Sequence, residues 1–241
     1  MDWHTIFWYY VLTLHLAIIS TTVWLHRTQT HRALTLHPVL CHIMRFVQWT
    51  MIGIITNQWV AVHRKHHMFS DKVGDPHSPH QLGIKELLTR GSIQANYVWK
   101  DSKMCAMYAS DGPSDWIEKN IYTPYNFAGL LVLIFIETLL FGVVGIFLFF
   151  LRLAVYWYLT ASVVNGIGHW WGYRNFETRD QSRNFSPVGL IICGEELHNN
   201  HHGDAKNPQF SRKWFEFDIA WIYIRIFLAL KLASIPGRTS E

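Results

Sequence analysis

Residues 126 to 169 read NFAGLLVLIFIETLLFGVVGIFLFFLRLAVYWYLTASVVNGIGH, an apolar run in which Glu137 and Arg152 are the only charged side chains before His169. A helix needs about 20 mostly apolar residues to cross a bilayer, and this run is about twice that length. Gly142 and Gly145, near its middle, supply a turn. The stretch is therefore expected to cross, reverse and cross again, over roughly 126–143 and 146–168.

Outward from this hairpin, residues 5–25 form a third apolar segment of spanning length. Residues 39–62 are as long but carry Arg45, Gln48, Asn57 and Gln58, so they are expected to lie in or dip into the interface rather than cross. The resulting architecture is an all-α integral membrane protein of one domain, 1–241. It has three transmembrane helices, interfacial amphipathic helices, and a cytoplasmic cap built from 63–125 and 170–241. Lysine and arginine agree with that orientation, since cytoplasmic segments carry the positive excess. Residues 26–125 hold eleven of the 21, residues 170–241 hold nine, and residues 1–25 hold none. Arg152, early in the last crossing, is expected to snorkel to the outer surface. Glu137 is expected to hydrogen-bond between helices or to be protonated. Half of the 241 residues are hydrophobic and the net charge is +4. That charge would draw anionic headgroups or an acidic protein to the cytoplasmic face.

Fifteen histidines are the second unusual feature, and most fall into tight groups beside the apolar segments: His26-Arg-Thr-Gln-Thr-His31, His63-Arg-Lys-His66-His67 and His198-Asn-Asn-His201-His202, with His169 at the end of the hairpin. Neutral nitrogen donors in this number fit iron, zinc, copper or nickel and argue against magnesium or calcium, which prefer oxygen. A structural zinc takes four ligands, so nine donors point to two ions. Two imidazole-bound metals next to lipid point in turn to oxidation of an apolar substrate by dioxygen.

Helix geometry places His63, His66 and His67 within a wedge of roughly 100°, and His198, His201 and His202 likewise. His26 and His31 are about 140° apart on a regular helix, so both reach one centre only if the helix unwinds or stops between them. Asn165 and His169, at i and i+4, share a face, the amide suited to holding a metal-bound water. Asp75 and Glu195 stand near the boxes and are candidates to accept imidazole N–H groups and orient the ligands. His4, His15, His37 and His42 read as ordinary hydrogen-bonded histidines.

The remaining sequence narrows the class. Cys41, Cys105 and Cys193 are too scattered for a disulfide framework or an iron–sulfur site and read as packing residues. The N-terminal apolar segment lacks the basic start and small-residue cleavage site of a signal peptide. Nothing points to nucleic acid, and no dinucleotide or cytochrome-like domain is appended, so electrons would come from a separate protein. Residues 68–125, broken by Gly74-Asp-Pro, Asp111-Gly-Pro and Pro124, read as a cover with short helices near 83–90 and 92–109. Residues 214–233 read as an amphipathic surface helix whose polar face includes Glu216, Asp218, Arg225 and Lys231.

The three boxes, together with Gly74-Asp-Pro-His77, Asn165-Gly-Ile-Gly-His169, Tyr173-Arg174, Gln181-Ser-Arg183 and Gly194-Glu-Glu-Leu-His198, resemble the membrane fatty acid desaturases, specifically the stearoyl-CoA (delta-9) group. The resemblance implies a di-iron centre held by His26, His31, His63, His66, His67, His169, His198, His201 and His202, with Asn165 acting through a water. It implies a fatty acyl substrate and insertion of a cis double bond with dioxygen. A separate donor of ferredoxin, rubredoxin or cytochrome b5 type would supply the electrons. The animal enzymes carry an additional leading helix, and they place an Arg-Asp pair that helps hold coenzyme A where this chain has Ala61 and Val62, which opens acyl-lipid or acyl-carrier-protein substrates. A kinked tunnel walled by Trp59 and the first crossing would select the position of attack. Hydroxylation or acetylenation of an acyl chain, or alkane hydroxylation, on the same site is the alternative. A divalent-metal transporter is a remote one, because transporters bind ions near the midplane and these histidines sit at segment ends. The minimal chain is expected in a bacterial inner membrane, with its metal site on the cytoplasmic side.

Overall fold

The computed structural model describes residues 2–99 and 102–237, with the side chains of 92–99 omitted. The first helix starts at α1 (Trp3–Ser20), which Asp2 caps by accepting from the Thr5 N–H, and widens without a break into π1 (Thr21–Thr30). Together they form one 28-residue apolar helix. The chain then passes β1 (Thr35–Leu36), α2 (Pro38–Met51) and α3 (Thr56–Phe69). Next come α4 (Pro79–Leu82), α5 (Ile84–Trp99), α6 (Ser102–Tyr108) and π2 (Glu118–Tyr122). The hairpin consists of α7 (Asn126–Phe141) and α8 (Val143–Trp157), the latter extended by π3 (Tyr158–Val163) and α9 (Val164–Ile167). The remainder holds β2 (Val188–Gly189), α10 (His198–Gly203), β3 (Phe217–Asp218), α11 (Ile219–Ala229) and β4 (Ala233–Ser234). The strands pair two by two, β1 antiparallel with β4 and β2 parallel with β3, and tie loops together rather than form a sheet core.

Among the described residues, two helices are long and apolar enough to cross a membrane, Trp3–Thr30 and Val143–Ile167. Large apolar side chains such as Phe7, Leu12, Leu131, Phe135, Leu139 and Phe147 lie exposed along these helices and α7. A protein bathed in water rarely leaves so continuous an apolar surface uncovered. At 16 residues, α7 rises about 24 Å, less than the roughly 30 Å of a bilayer core. The turn between α7 and α8 is made by Gly142 alone, at φ +60°. Gly145 lies inside α8, where its missing side chain lets the backbone of Glu137 come close.

Four expectations from the sequence are corrected. The segment 39–62 is not one interfacial helix but parts of α2 and α3, bent by 93°. The break contains Gly53, at φ +72°, whose carbonyl accepts from Asn126 Nδ2 at 3.0 Å. The polar residues of α2 turn inward. Gln48 donates to Ser20 Oγ (2.6 Å), and Arg45 pairs with Asp115 (2.6 Å) and Glu118 (3.0 Å). Arg152 does not snorkel: fully buried, it forms an ion pair with the equally buried Glu137 at 2.6 Å across the hairpin. Glu137 also accepts from the Tyr9 hydroxyl at 2.8 Å, which binds α1 to the pair. Finally, Glu216 and Asp218 are buried rather than on the polar face of a surface helix. Asp218 caps α11 and pairs with Arg27 at 3.0 Å, whose guanidinium sits 3.8 Å above the Phe210 ring.

The cover over the box-bearing end packs α6 on α3 and α5 on π3. The expected helices near 83–90 and 92–109 are one longer helix, α5, and a shorter one, α6. The join at 100–101 lies outside the described residues. Arg64 and Arg32 clasp Asp111 of this cover at 2.6 and 2.8 Å, and Arg64 also donates to the Gln29 and Thr30 carbonyls at the end of π1.

Candidate metal centre

The structure brings all nine box histidines together in two groups. His26, His31, His63, His67 and His201 form one, and His66, His169, His198 and His202 the other; within each group the ligand atoms lie within 4.8 Å of one another. The division follows helix geometry. On α3, His63 and His67 are one turn plus 40° apart and share a group, while His66, one step back, turns to the other. On α10, His198 and His202 share a group and His201 turns away by the same rule. Two helices thus each supply both groups.

His26 and His31 reach the same group because π1 is wider than an α-helix. Its hydrogen bonds run i to i+5, as from His31 N to His26 O at 3.1 Å, which brings residues five apart onto one face. The ring centroids of His26 and His31 are 5.0 Å apart. As the sequence reading required, the regular helix gives way here: it dilates into π1, which ends at Thr30, just before His31.

Carboxylates fix the rings from outside. His26 Nδ1 faces Glu195 at 2.7 Å and His66 Nδ1 faces Asp75 at 2.9 Å, the two carboxylates singled out in the sequence. Glu195 also accepts from Thr22 Oγ1. Two further carboxylates do the same: Asp71 for His169 (2.8 Å) and Asp180 for His202 (2.9 Å). Each pairing places the proton on Nδ1 and leaves the Nε2 lone pair for an ion. Asp71 stands four residues after His67, in a left-handed turn (φ 62°) that a sequence pattern does not reveal. Asp180 lies 22 residues before its histidine, so no local spacing marks it. Burial, the largest single influence, would raise the Asp71 carboxyl, but the hydrogen bond and charge of His169 together with the hydrogen bonds from Ser78 and Gln181 outweigh it and bring it to about 2. Burial holds the His202 imidazole down to about 4, against the pull of Asp180. Burial likewise keeps His198 and His201 well below the ordinary histidine range. Neutral imidazole is the form that binds metal.

The Nε2 contacts fit an ion better than they fit hydrogen bonds. His201 Nε2 faces His26 Nε2 at 2.9 Å and His67 Nε2 at 3.0 Å, and His67 in turn faces His63 at 3.1 Å. One ring nitrogen carries at most one proton and cannot serve two such neighbours. The buried Nε2 atoms of His31, His66 and His202 have no hydrogen-bond partner. Donors about 2.1 Å from a common ion at right angles lie about 3.0 Å apart, whereas tetrahedral ones lie about 3.4 Å apart. The spacing is close enough for these nitrogens to share one ion.

The third box is held by an amide network that the sequence reading missed. Asn199 and Asn200, between the histidines, point away from the groups. Asn200 accepts from Asn184 Nδ2 (2.9 Å) and donates to Glu216 (2.8 Å), and Asn199 accepts from the backbone N–H of Asn175 (2.8 Å). His77 was also missed as a site residue. It is buried beside His66, with ring centroids 4.4 Å apart, and burial lowers it to about 3. Its only signal was its place in the Gly74-Asp-Pro-His77 string. Asn165 donates to the Ala161 carbonyl at 3.0 Å and, with His26 and His63, lines a largely apolar cavity. Ile18, Thr21, Trp59 and Trp157 form other walls of that cavity, and Trp59 stacks on His63 at 4.8 Å. His15 and His37 are hydrogen-bonded as expected, to Tyr223 and to the Val39 N–H, and none of the three cysteines, all among the described residues, takes part in a disulfide.

Apolar helices that end in two carboxylate-braced histidine groups beside an apolar cavity define a membrane-associated metalloprotein acting on a greasy substrate. The fatty acid desaturase family model matches residues 3–221, and the chain belongs to that family. It is 28% identical to a delta-9 desaturase-like protein (number 4) of Arabidopsis thaliana, over 94% of this chain and 74% of that protein. It is equally similar to a delta-9 acyl-lipid desaturase of the same plant (90% and 69% covered) and to an acyl-CoA 5-desaturase of Anemone leveillei (93% and 69%).

Proposed function

We propose that this protein is a dioxygen-dependent fatty acyl desaturase that inserts a cis double bond into an acyl chain, using two iron ions. The observation that carries this reading is the closure of nine histidines from four separated stretches into two adjacent groups, the first of which borders an apolar cavity. Five imidazoles in the first group exceed the four ligands of tetrahedral zinc, which supports an ion of higher coordination number. When bound, the iron pair supplies the reduction of dioxygen and the oxidation of C–H bonds.

The chain's own residues do the rest. His26, His31, His63, His67 and His201 hold one ion and His66, His169, His198 and His202 the other, with Asn165 orienting a water. Glu195, Asp75, Asp71 and Asp180 keep the imidazoles in the metal-binding tautomer. Trp59, fixed by its stack on His63, and the residues of α1 and π1 shape the cavity so that two adjacent methylenes lie against the metal groups while water is excluded. Electrons arrive from a separate donor protein and protons from solvent.

Three crossings, the first at Trp3–Thr30 and the others along the hairpin, would leave every box on one side. The lysine and arginine distribution supports the cytoplasmic side. The bent α2–α3 pair then dips into that leaflet, and residues 63–125 and 170–241 form the cap of a single domain. Ala61 and Val62 are buried in apolar packing and offer no charge to a coenzyme A head group. This favours an acyl-lipid or acyl-carrier-protein substrate.

Mass spectrometry of lipids from cells expressing the chain tests the reading. The expected product has lost two hydrogens; a product that has instead gained an oxygen would establish a hydroxylase. His67→Ala and His201→Ala are expected to abolish the product while the protein still inserts, and full activity in either variant would overturn the assignment.

A further inference from the structure

The two histidine groups differ in what stands behind them. Behind the second group, three of four imidazoles have a carboxylate on Nδ1: His66 with Asp75, His169 with Asp71 and His202 with Asp180. Behind the first, the carboxylate found among the described residues is Glu195, on His26. One buried Nδ1 in each group, that of His201 in the first and His198 in the second, has no partner. The cavity lies on the side of the first group. His66, His169 and His198 are completely buried, and none of them borders the cavity, whereas His26 and His63 form part of its wall.

A second-group ion therefore sits among three anions in a dry interior, where opposite charge is least screened. Each of these outer carboxylates also fixes a ring and raises its basicity. The first group answers with one more imidazole, which is neutral, and with one anion. Asp71 has an additional effect. The oxygen that faces His169 also accepts from the Gln181 backbone N–H (2.7 Å), and its other oxygen accepts from Ser78 Oγ (2.6 Å). It thus ties the turn after the second box to the loop before the third. Asp180 is braced in turn by the hydroxyls of Thr178 (2.7 Å) and Ser182 (2.6 Å).

We propose that the two iron sites are unequal, the second group retaining its ion and the cavity-side first group being the exchangeable one, with Asp71 and Asp180 as the positioning residues that set the difference. This rests on the two-iron reading above. The test is metal release. The purified iron-loaded protein is challenged with EDTA, and residual iron is followed by elemental analysis and Mössbauer spectroscopy. Two phases of one iron each are expected, the slow phase at least about 100-fold slower, as two additional outer carboxylates imply. One Mössbauer doublet should survive the fast phase. Glu195→Gln is expected to accelerate only the fast phase, and Asp71→Asn and Asp180→Asn only the slow one, each by about 10–100-fold.

Release of both ions in a single phase from the wild-type protein overturns the proposal without the need for any variant. So does acceleration of the fast phase by Asp180→Asn. Two-phase release from a protein that makes no double bond would support the inequality and refute the desaturase reading. Single-phase release from an active desaturase would do the reverse. A wild-type protein that loads fewer than two ions overturns both.

Discussion

The Glu137–Arg152 pair offers a quantitative test of how the apolar helices α7 and α8 are joined. Both side chains are fully buried, and Arg152 makes two contacts to the carboxylate, at 2.6 and 3.1 Å. Arg152→Met leaves Glu137 with the Tyr9 hydroxyl as its remaining partner among these contacts. Stranding one member of a buried pair costs about 3–5 kcal/mol. For a chain of this size, about 2–4 °C per kcal/mol translates this into a fall of roughly 6–20 °C in the unfolding midpoint. Glu137→Leu strands a guanidinium that cannot shed its proton and belongs at the upper end. The double variant removes both charges, and its loss should be smaller than either single one, because apolar replacement of a whole buried pair is often close to neutral. Thermal unfolding in detergent, read by tryptophan fluorescence or size-exclusion survival, gives the three midpoints. Losses that simply add in the double variant would refute the coupling between α7 and α8, as would a single-variant loss below about 1 kcal/mol.

Two other outcomes follow from the site. Inserting an alanine after Thr28 spaces His26 and His31 six residues apart, about 120° on a regular helix and off the face that the five-residue turn of π1 aligns. His31 should leave the first group, with bound iron falling by about one ion per chain; unchanged iron content would show that the five-residue spacing is not what aligns the two rings. The metal-free protein should be sensitive to acid. His202, lowered to about 4 by burial, binds its proton more readily in the unfolded chain, so stability rises with pH. Its contribution is complete above about 6.5, the ordinary histidine value, and is lost as pH falls from there toward about 4. Chemical denaturation across that window checks this, and a flat profile would contradict the burial.

The box histidines were legible because ligand type and the i, i+3, i+4 rhythm are both written locally. What the rhythm could not express was the split of each box between two groups. It follows from the same 100° step, but only once two centres rather than one are placed beside the helix. His26 and His31 looked misaligned because a regular helix was assumed. Residues Thr21 to Thr30 contain no glycine or proline to announce a widened turn. Asp75 and Glu195 stood close enough to the boxes to be noticed. Asp180 and Glu216 did not, since their partners are brought to them by loops. Arg152 was misread because a charge in an apolar run was weighed against lipid alone, when its countercharge lay 15 residues away on the opposite arm of the hairpin.

Because α3 and α10 each present histidines to both groups, the distance between the two centres is dictated by covalent backbone pitch, in the way a ruler's marks are fixed by the ruler. Movements of the cover or drift of the surrounding lipid can tilt this ruler or expose it, but they cannot stretch it. A reaction needing both ions at a constant separation is thereby insulated from the softness of the medium in which the protein works.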